Sequence, residues 1–154
     1  MSLRVLCLGK TKESWLQEGL NTYLTRLPKE WKVCWQEQKD VSLKTAGSIE
    51  KVKMQEASLV LKALAADEFV IALDETGKEF TSVQFANFLL DLKANRDIIF
   101  VVGGVYGLDS SVRKRADLIL SFSRFTFPHQ LIRLLLCEQL YRAYTISSGK
   151  SYHY

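Results

Sequence analysis

Residues 125–154 read FTFPHQLIRLLLCEQLYRAYTISSGKSYHY, and the rest of the chain can be arranged around them. A short loop of aromatic and hydroxyl side chains leads into Pro128, a residue that favours the first turn of a helix. The helix predicted after it is apolar on every side, with polar groups interspersed. Such a helix must be covered on all sides. Because the chain's own sheet covers only part of it, this segment predicts a second subunit packed against it.

Upstream of this helix, short apolar runs alternate with segments of helical periodicity. Strands are predicted at residues 4–9, 31–36, 69–73, 98–102 and 118–120, with helices between them. The best strands are apolar on both faces, which is typical of an α/β domain with a mostly parallel sheet flanked by helices. We therefore expect a single domain over residues 1–154.

Local signals predict where the helices begin and which sides they bury. Ser14 and Ser48 are predicted N-caps, and Thr81 with Gln84 forms a predicted capping box. A turn is expected at residues 74–77. In the helix after Ser48, the side expected to face the core carries Ile49, Val52, Leu59, Ala63 and Leu64, and Glu56 is expected on the polar side.

Composition excludes several classes of protein. Hydrophobic residues make up 47% and charged residues 25%, as in ordinary globular proteins, and no apolar run approaches the ~18 residues of a membrane span. The first residues are too short and strand-like for a signal peptide, so the cytoplasm is the expected compartment. Three separated cysteines and two histidines predict neither a disulfide framework nor a metal site, and each cysteine is expected to be buried. The net charge of +4 permits a polyanionic partner without requiring one.

Glycine-rich turns follow two of the predicted strands. Gly9-Lys10-Thr11 resembles the end of a phosphate-binding P-loop, but the pattern needs a glycine where Arg4 stands. The GGVYG segment at 103–107 lacks the spacing of a dinucleotide-binding motif. Its adjacent glycines indicate either a close backbone approach to a ligand or another segment, or a tight turn at the sheet edge. In parallel sheets ligands bind beyond such strand ends.

Three segments together resemble a known family. They are LDETGKEFTSVQFA from residue 73, FVVGGVYG from residue 100, and LSFSRFTFPHQLIRLLLCEQLYRAYTI from residue 120 with the terminal YHY. In this order they are similar to the small SPOUT-class ribosomal RNA methyltransferases, which methylate N3 of a pseudouridine in large-subunit rRNA. The strand, Gly-Lys and Trp-bearing helix at the N-terminus fit too, so the resemblance covers essentially the whole chain.

The resemblance implies a trefoil-knotted α/β fold that works as a homodimer with S-adenosylmethionine. It further implies that the cofactor is held in the knot, largely by backbone groups. The residues that match the family's cofactor site are Leu73, Gly103, Gly104, Phe122, Ser123, Arg124, Phe125, Thr126 and Phe127. The charge of Arg124 would repel a sulfonium, so we expect that side chain to point outward.

Methylating N3 of a uracil-type base requires removal of an imide proton and stabilisation of the charge that develops on the base. Candidate groups are His129, Arg133, Glu138, Arg142, Tyr152 and His153. Glu138 and Arg142 form either a simple helix salt bridge or an interface or substrate group, and His129 is expected to help close the helix start. We predict catalytic roles for Arg142, Tyr152 and His153, with the tail folded over the cofactor pocket of its own or the partner chain.

The modest basic excess predicts that substrate recognition depends on a preassembled ribosomal surface. Three alternatives remain open at this point. The chain could be a SPOUT methyltransferase for another base of tRNA or rRNA, a flavodoxin-like or nucleotide-binding module without catalysis, or a ribosome-associated factor that transfers no methyl group.

Overall fold

A computed structural model describes residues 2–154 and shows a five-stranded, all-parallel sheet with helices on both faces. The strand order is β2-β1-β4-β3-β5. This confirms the predicted α/β architecture, while the trefoil knot stays a prediction. The elements in chain order are β1 (Leu3–Leu8), α1 (Ser14–Arg26), a 3₁₀ turn (Lys29–Trp31), β2 (Val33–Gln38), α2 (Leu43–Ala46), α3 (Ile49–Ala63), β3 (Phe69–Glu79), α4 (Ser82–Lys93), β4 (Ile98–Val102), α5 (Ser110–Arg115), β5 (Leu118–Ser121) and α6 (His129–Ser147).

The sheet separates two hydrophobic cores. Alternate residues of the central strands point to opposite faces, so Phe100 lies in the core under α1, α4 and α6, whereas Val101 lies in the core under α3 and α5. All five residues of β4 are buried, which explains its uninterrupted apolar sequence. Because every strand is parallel, their carboxyl ends meet at one edge of the sheet.

Strand β3 is longer than predicted. The expected turn at residues 74–77 is wrong, because the chain continues extended to Glu79 and pairs again with β5 after a register shift between Leu73 and Lys78. Within this bulged section, a Cβ added to Gly77 would lie 2.5 Å from the carbonyl oxygen of Ile119. Only glycine allows this approach, so the residue that signals a turn in the sequence serves close strand packing instead.

Two of the three predicted helix starts are confirmed. The capping box of Thr81 and Gln84 and the cap at Ser48 are confirmed. Ser14 is the first residue of α1 rather than its cap, and the preceding Glu13 makes no side-chain cap bond. Trp31 belongs to the 3₁₀ turn and is buried, so the second strand begins later than predicted.

The buried face of α3 agrees only in part with the predicted one. Val52 is buried and Ala63 and Leu64 pack against the core, as predicted. The structure buries Val52, Glu56, Ala57 and Val60, while Ile49 and Leu59 are exposed. The sequence carries two apolar stripes on this helix, and the stripe that meets the sheet contains the carboxylate. A rule that places charge on the outer side therefore shifted the predicted face and left out Glu56, Ala57 and Val60.

Helix α6 packs between α1 and α4 against the sheet. Leu136, Leu140 and Ala143 are buried there. Leu131, Leu134 and Leu135 are only half-buried within one chain. The apolar character on all sides of α6 is therefore only partly accounted for by the fold of a single chain.

The three cysteines are free and differ in environment. Cys7 and Cys137 are buried, as predicted, but Cys34 on β2 is exposed and that prediction is wrong. Burial raises the pKa of Cys7 to about 12 and also raises that of Cys137. The buried thiols therefore stay protonated and behave as small apolar side chains.

Candidate functional site

The main cavity, about 350 Å³ in volume, lies at the carboxyl edge of the sheet between the bulge of β3, the ends of β4 and β5, and the start of α6. Of the residues predicted to hold the cofactor, the following line it: Leu73, Gly103, Gly104, Phe122, Ser123, Phe125, Thr126 and Phe127. Sequence reasoning did not assign Asp74, Glu75, His129 or Ile132 to this wall. The two carboxylates directly follow Leu73, the last residue of the continuously buried part of β3, and this position was the signal that could have found them.

Arg124 is the predicted cofactor residue that does not line the cavity. Its Nη1 donates to the carbonyl oxygen of Glu75 at 2.9 Å, and its Nε lies 3.8 Å from the carboxylate of Glu79. The side chain is 63% exposed. The guanidinium thus points away from the cavity, as the sequence argument expected, and fastens the loop to β3 instead.

The loop after β5 is held through Glu75. Thr126 donates its hydroxyl to the Glu75 carboxylate at 2.8 Å, and the hydroxyl of Ser121 lies 3.1 Å from the Glu75 carbonyl oxygen. Within the loop, the backbone N–H of Phe125 donates to the hydroxyl of Ser123. The hydroxyl-rich sequence of this segment therefore fixes the conformation of the loop that lines the cavity.

Asp74, which also lines the cavity, is held by Thr76 and Arg113. It accepts hydrogen bonds from the backbone and hydroxyl of Thr76 and forms an ion pair with Arg113 of α5 at 2.7 Å. Burial alone would raise the pKa of Asp74, but the bonds from Thr76 and Arg113 bring it below its usual value. Asp74 is consequently ionised at neutral pH and places a negative charge at the cavity.

The glycine turn after β4 is shaped by neighbouring protein groups. A Cβ on Gly103 would lie 3.0 Å from the Leu108 side chain, and one on Gly104 would lie 3.0 Å from each carboxylate oxygen of Glu56. Gly107, at φ 80°, donates its N–H to the Gly104 carbonyl at 3.1 Å. Of the alternatives that the sequence left open, a tight turn and close approach to other segments are both present.

The first turns of α6 contain a buried polar network. Arg133 is 0% exposed and donates to the hydroxyl of Thr11 at 2.9 Å and to the Leu8 carbonyl at 2.7 Å. Its Nη1 lies 3.8 Å from Glu37. Burial by itself would raise the pKa of Glu37, yet hydrogen bonds from Thr11 and Trp35 and the charge of Arg133 lower it. Arg133 therefore links α6 to the ends of β1 and β2, and these contacts stabilise the fold.

His129 lies one helical turn before Arg133 and faces the main cavity. Burial, and next the charge of Arg133, lower the pKa of His129, while Asp40 opposes this effect. A neutral imidazole at neutral pH follows, and a neutral imidazole can accept a proton. His129 is therefore a candidate proton acceptor, in addition to the role in closing the start of the helix that the sequence predicts.

The predicted catalytic residues gather at the other end of α6. Glu138 accepts from Arg142 Nε at 3.0 Å and from the Tyr152 hydroxyl at 3.2 Å, and Arg142 Nη1 lies 3.2 Å from His153 Nδ1. The Tyr152 ring packs edge-on against Tyr141 at 4.9 Å and lies 4.8 Å from the Arg142 guanidinium. The hydrogen bond to Glu138 raises the pKa of Arg142, and burial raises that of Tyr152. Both groups are protonated at neutral pH.

This cluster is separated from the cavity of its own chain. Arg142 follows His129 by about 20 Å along the helix axis at ~1.5 Å per residue, and Arg142, Tyr152 and His153 are absent from the cavity lining. The tail folds back on α6 rather than over its own cavity. The sequence left open whether the tail covers the cavity of its own chain or that of a partner. The structure does not show the tail over the cavity of its own chain.

Among residues 2–154, the structure places no three His, Cys, Asp or Glu side chains where they could hold a metal ion together. Across the same residues, no helix is both long and apolar enough to pass through a membrane.

Comparison with known proteins adds an independent finding to this geometry. Residues 1–153 match the family model described as predicted SPOUT methyltransferase. The chain belongs to the SPOUT methyltransferase family. It is 45% identical to Ribosomal RNA large subunit methyltransferase H of Pelotomaculum thermopropionicum, over 99% of this chain and 98% of the relative. It is 42% identical to the protein of the same name from Natranaerobius thermophilus, over 100% of both chains.

A solved structure supports the fold at lower sequence similarity. The chain resembles a probable methylase family protein from Haemophilus influenzae with a TM-score of 0.59 and 14% identity, over 99% of this chain and 70% of the other. At this identity the likeness concerns the fold alone. It agrees with the parallel sheet described above.

Proposed function

We propose that the protein transfers a methyl group from S-adenosylmethionine to large-subunit ribosomal RNA, with N3 of a pseudouridine as the target. The observation that carries this proposal is the cavity at the sheet edge, walled by Leu73, the Gly103–Gly104 turn and residues 122–127. The full-length similarity to proteins named Ribosomal RNA large subunit methyltransferase H supports the RNA substrate. The pseudouridine N3 follows from the family resemblance.

The residues of the cavity fit S-adenosylmethionine. The volume of about 350 Å³ falls in the usual range of ~300–1,000 Å³ for small-molecule sites. Phe122 and Phe127 offer apolar surface to an adenine, and the loop backbone offers hydrogen bonds. Glu75 brings negative charge to the wall beside the Asp74–Arg113 ion pair, and Arg124 points away, which suits a cationic ligand. S-adenosylmethionine, when bound, supplies the methyl group from its sulfonium.

The active site is completed by a second copy of the chain. Within one chain, the Arg142 cluster lies at the far end of α6 from the cavity. The half-buried Leu131, Leu134 and Leu135 provide apolar surface for a partner helix. A homodimer that pairs these surfaces brings the tail of one subunit to the cavity of the other.

The groups of the cluster have separate tasks in this proposal. Glu138 orients Arg142, whose guanidinium stabilises the negative charge that develops on the base oxygens. Arg142 donates a hydrogen bond to Nδ1 of His153. In this arrangement a neutral imidazole carries its proton on Nε2 and can donate from that atom. His153 can accept the N3 proton once it separates from Arg142. Tyr152 holds the tail to Glu138, and its ring lies 4.8 Å from the Arg142 guanidinium and helps to position it.

Mixing of two inactive variants tests this function and its dimeric site. One variant ends at Ser151, and the other carries Gly103→Val, whose side chain meets Leu108 and the Gly107 backbone. Each alone is expected to lose methyl transfer to ribosomes from a strain lacking the activity, while the truncated protein still binds S-adenosylmethionine in calorimetry. Mixed subunits recover activity only if the tail acts on the partner's cavity. Full activity of the truncated protein alone contradicts the proposal.

The identity of the modified base is measured on the same reaction. Nucleoside mass spectrometry and mapping are expected to give a single methylated pseudouridine in large-subunit rRNA. Methylation of tRNA or of another rRNA base would retain the enzyme class and change the substrate. Assembled ribosomes are expected to be methylated faster than protein-free rRNA, and equal rates would contradict recognition of an assembled surface.

A further inference from the structure

Glu56 is a carboxylate in an unexpected place. It lies in the middle of α3, on the face that packs against the sheet, and is only 3% exposed. Its neighbours on this face are Val52, Ala57 and Val60. An acid buried among apolar residues costs stability unless its oxygens are hydrogen-bonded. A leucine or methionine would fill the position without this cost, so the carboxylate calls for a reason other than packing.

The two carboxylate oxygens of Glu56 reach two separate segments. Oε1 accepts a hydrogen bond from the backbone N–H of Val41 at 3.3 Å. Oε2 is buried without a hydrogen-bond partner in residues 2–154. Both oxygens lie 3.0 Å from the position that a Cβ on Gly104 would occupy. Glu56 therefore contacts the α-carbon side of the glycine turn while it holds the segment at residue 41.

One of these segments lines the main cavity, and the other acts on it through the charge of Asp40. Gly104 lines the cavity directly. Asp40, next to Val41, lies 3.4 Å from the position of a Cβ on Gly9, and its charge acts on His129 at the cavity wall. Burial raises the pKa of Glu56, as does Asp40, while the Val41 bond lowers it. One buried side chain thus joins the end of β4 to the segment beside the start of α6.

We infer that Glu56 is a positioning residue of the methyl-transfer site, which sets the place of the Gly103–Gly104 turn relative to residues 40–41 and thereby the affinity for S-adenosylmethionine. The inference rests on the proposed function. Glu56 touches neither cofactor nor RNA and acts through Gly104. Its effect therefore falls on cofactor binding, with the chemical step little changed at saturating cofactor.

Three variants separate this role from general packing. Glu56→Ala removes both contacts, Glu56→Gln keeps the shape and the acceptor for Val41, and Val60→Ala is a control on the same buried face away from Gly104. We expect Glu56→Ala to weaken S-adenosylmethionine binding about 10-fold and to raise its KM by a similar factor, as a misplaced binding segment does. The kcat should change less than about 3-fold, and Glu56→Gln should restore most of the affinity. The inference is overturned if Val60→Ala at a matched loss of melting temperature raises the KM equally, or if Glu56→Ala leaves it unchanged.

A second comparison tests the contact with Gly104 itself. The methyl group of Gly104→Ala points at the Glu56 carboxylate, so this variant alone should weaken cofactor binding about 10-fold. In the double variant with Glu56→Ala, the methyl group gains room, and the combined loss should be no greater than that of Glu56→Ala alone. Additive losses would show that the two residues are uncoupled and overturn the inference. If the wild-type protein itself fails to bind S-adenosylmethionine in calorimetry, the proposed function fails instead.

Discussion

The two ends of α6 carry similar polar residues in opposite settings. At the first end, Arg133 is fully buried and meets Thr11, the Leu8 carbonyl and Glu37, all supplied by its own chain. At the other end, Arg142 meets Glu138 and the tail, and its side chain keeps 23% exposure. An arginine that is fully buried, with both of its Nη atoms bonded to its own chain, contributes to the fold. An arginine that is oriented yet still accessible is available to a substrate.

This contrast separates the environments of the six polar candidates, which their spacing in the sequence does not distinguish. His129 and Arg133 share one side of the helix, yet the former faces the cavity and the latter is buried beneath it. Glu138 and Arg142 form the expected i, i+4 pair, and the tail adds Tyr152 and His153 to it. The pair is therefore part of a larger polar cluster rather than an isolated surface salt bridge.

Replacement of Arg133 should have the largest effect on stability. Arg133→Met removes the donor to the buried Thr11 hydroxyl and the Leu8 carbonyl, and each buried acceptor left unpaired costs about 1–3 kcal/mol. The matched variant at the other end, Arg142→Met, should cost no more than about 1 kcal/mol, because that group is partly solvated. Urea denaturation of both proteins measures the two values. Equal losses would remove the structural distinction between the two ends.

Activity should show the reverse order. Arg142→Met is expected to lower kcat for ribosome methylation about 100-fold, the usual effect of removing a group that stabilises developing charge. Binding of S-adenosylmethionine should stay within about 2-fold of the wild type, since Arg142 lies outside the cavity of its own chain. Radiolabelled methyl transfer and calorimetry give both numbers. A normal kcat with weakened cofactor binding would reverse the assignment of Arg142.

A smaller, pH-dependent effect should appear at the buried end alone. The pKa of Glu37 is lowered in the folded protein, so the stabilisation that it provides is complete above its unfolded value of about 4.3 and is lost as pH falls through the folded value. Glu37→Gln should therefore be less stable than the wild type at pH 7, and its stability should decline less steeply as the pH falls below about 5. Glu18→Gln, at an exposed position of α1, is the control. A wild-type acid profile in Glu37→Gln would contradict the role of this carboxylate.

The sequence predicts much of the fold because local signals agree with tertiary packing in most elements. The capping box of Thr81 and Gln84, the apolar β4 and the proline before α6 each have one structural interpretation. Gly77 has two interpretations, because a glycine in a polar stretch can indicate either a turn or a close contact between strands. The choice depends on Ile119, which comes much later in the chain and cannot be read locally.

The candidate site was predictable where backbone groups form it and less so where side chains act over a distance. The glycine turn and residues 122–127 are marked by composition at strand ends. Glu56 and Arg133 are charged residues on helices, which the usual hydrophobic patterns place in solvent. Their burial depends on partners from β1, β2 and the turn after β4. The position of the tail depends on packing against Tyr141 and Glu138, which sequence spacing does not encode.

The unequal cysteines make the protein convenient for chemical labelling. Cys7 and Cys137 are buried and held as thiols, so a maleimide in neutral buffer reacts at Cys34 on the surface of β2. One fluorophore per subunit can thus be attached to the unaltered protein. Donor-labelled and acceptor-labelled subunits, once mixed, report subunit exchange by energy transfer, and the mixed-variant assay can be timed from that signal.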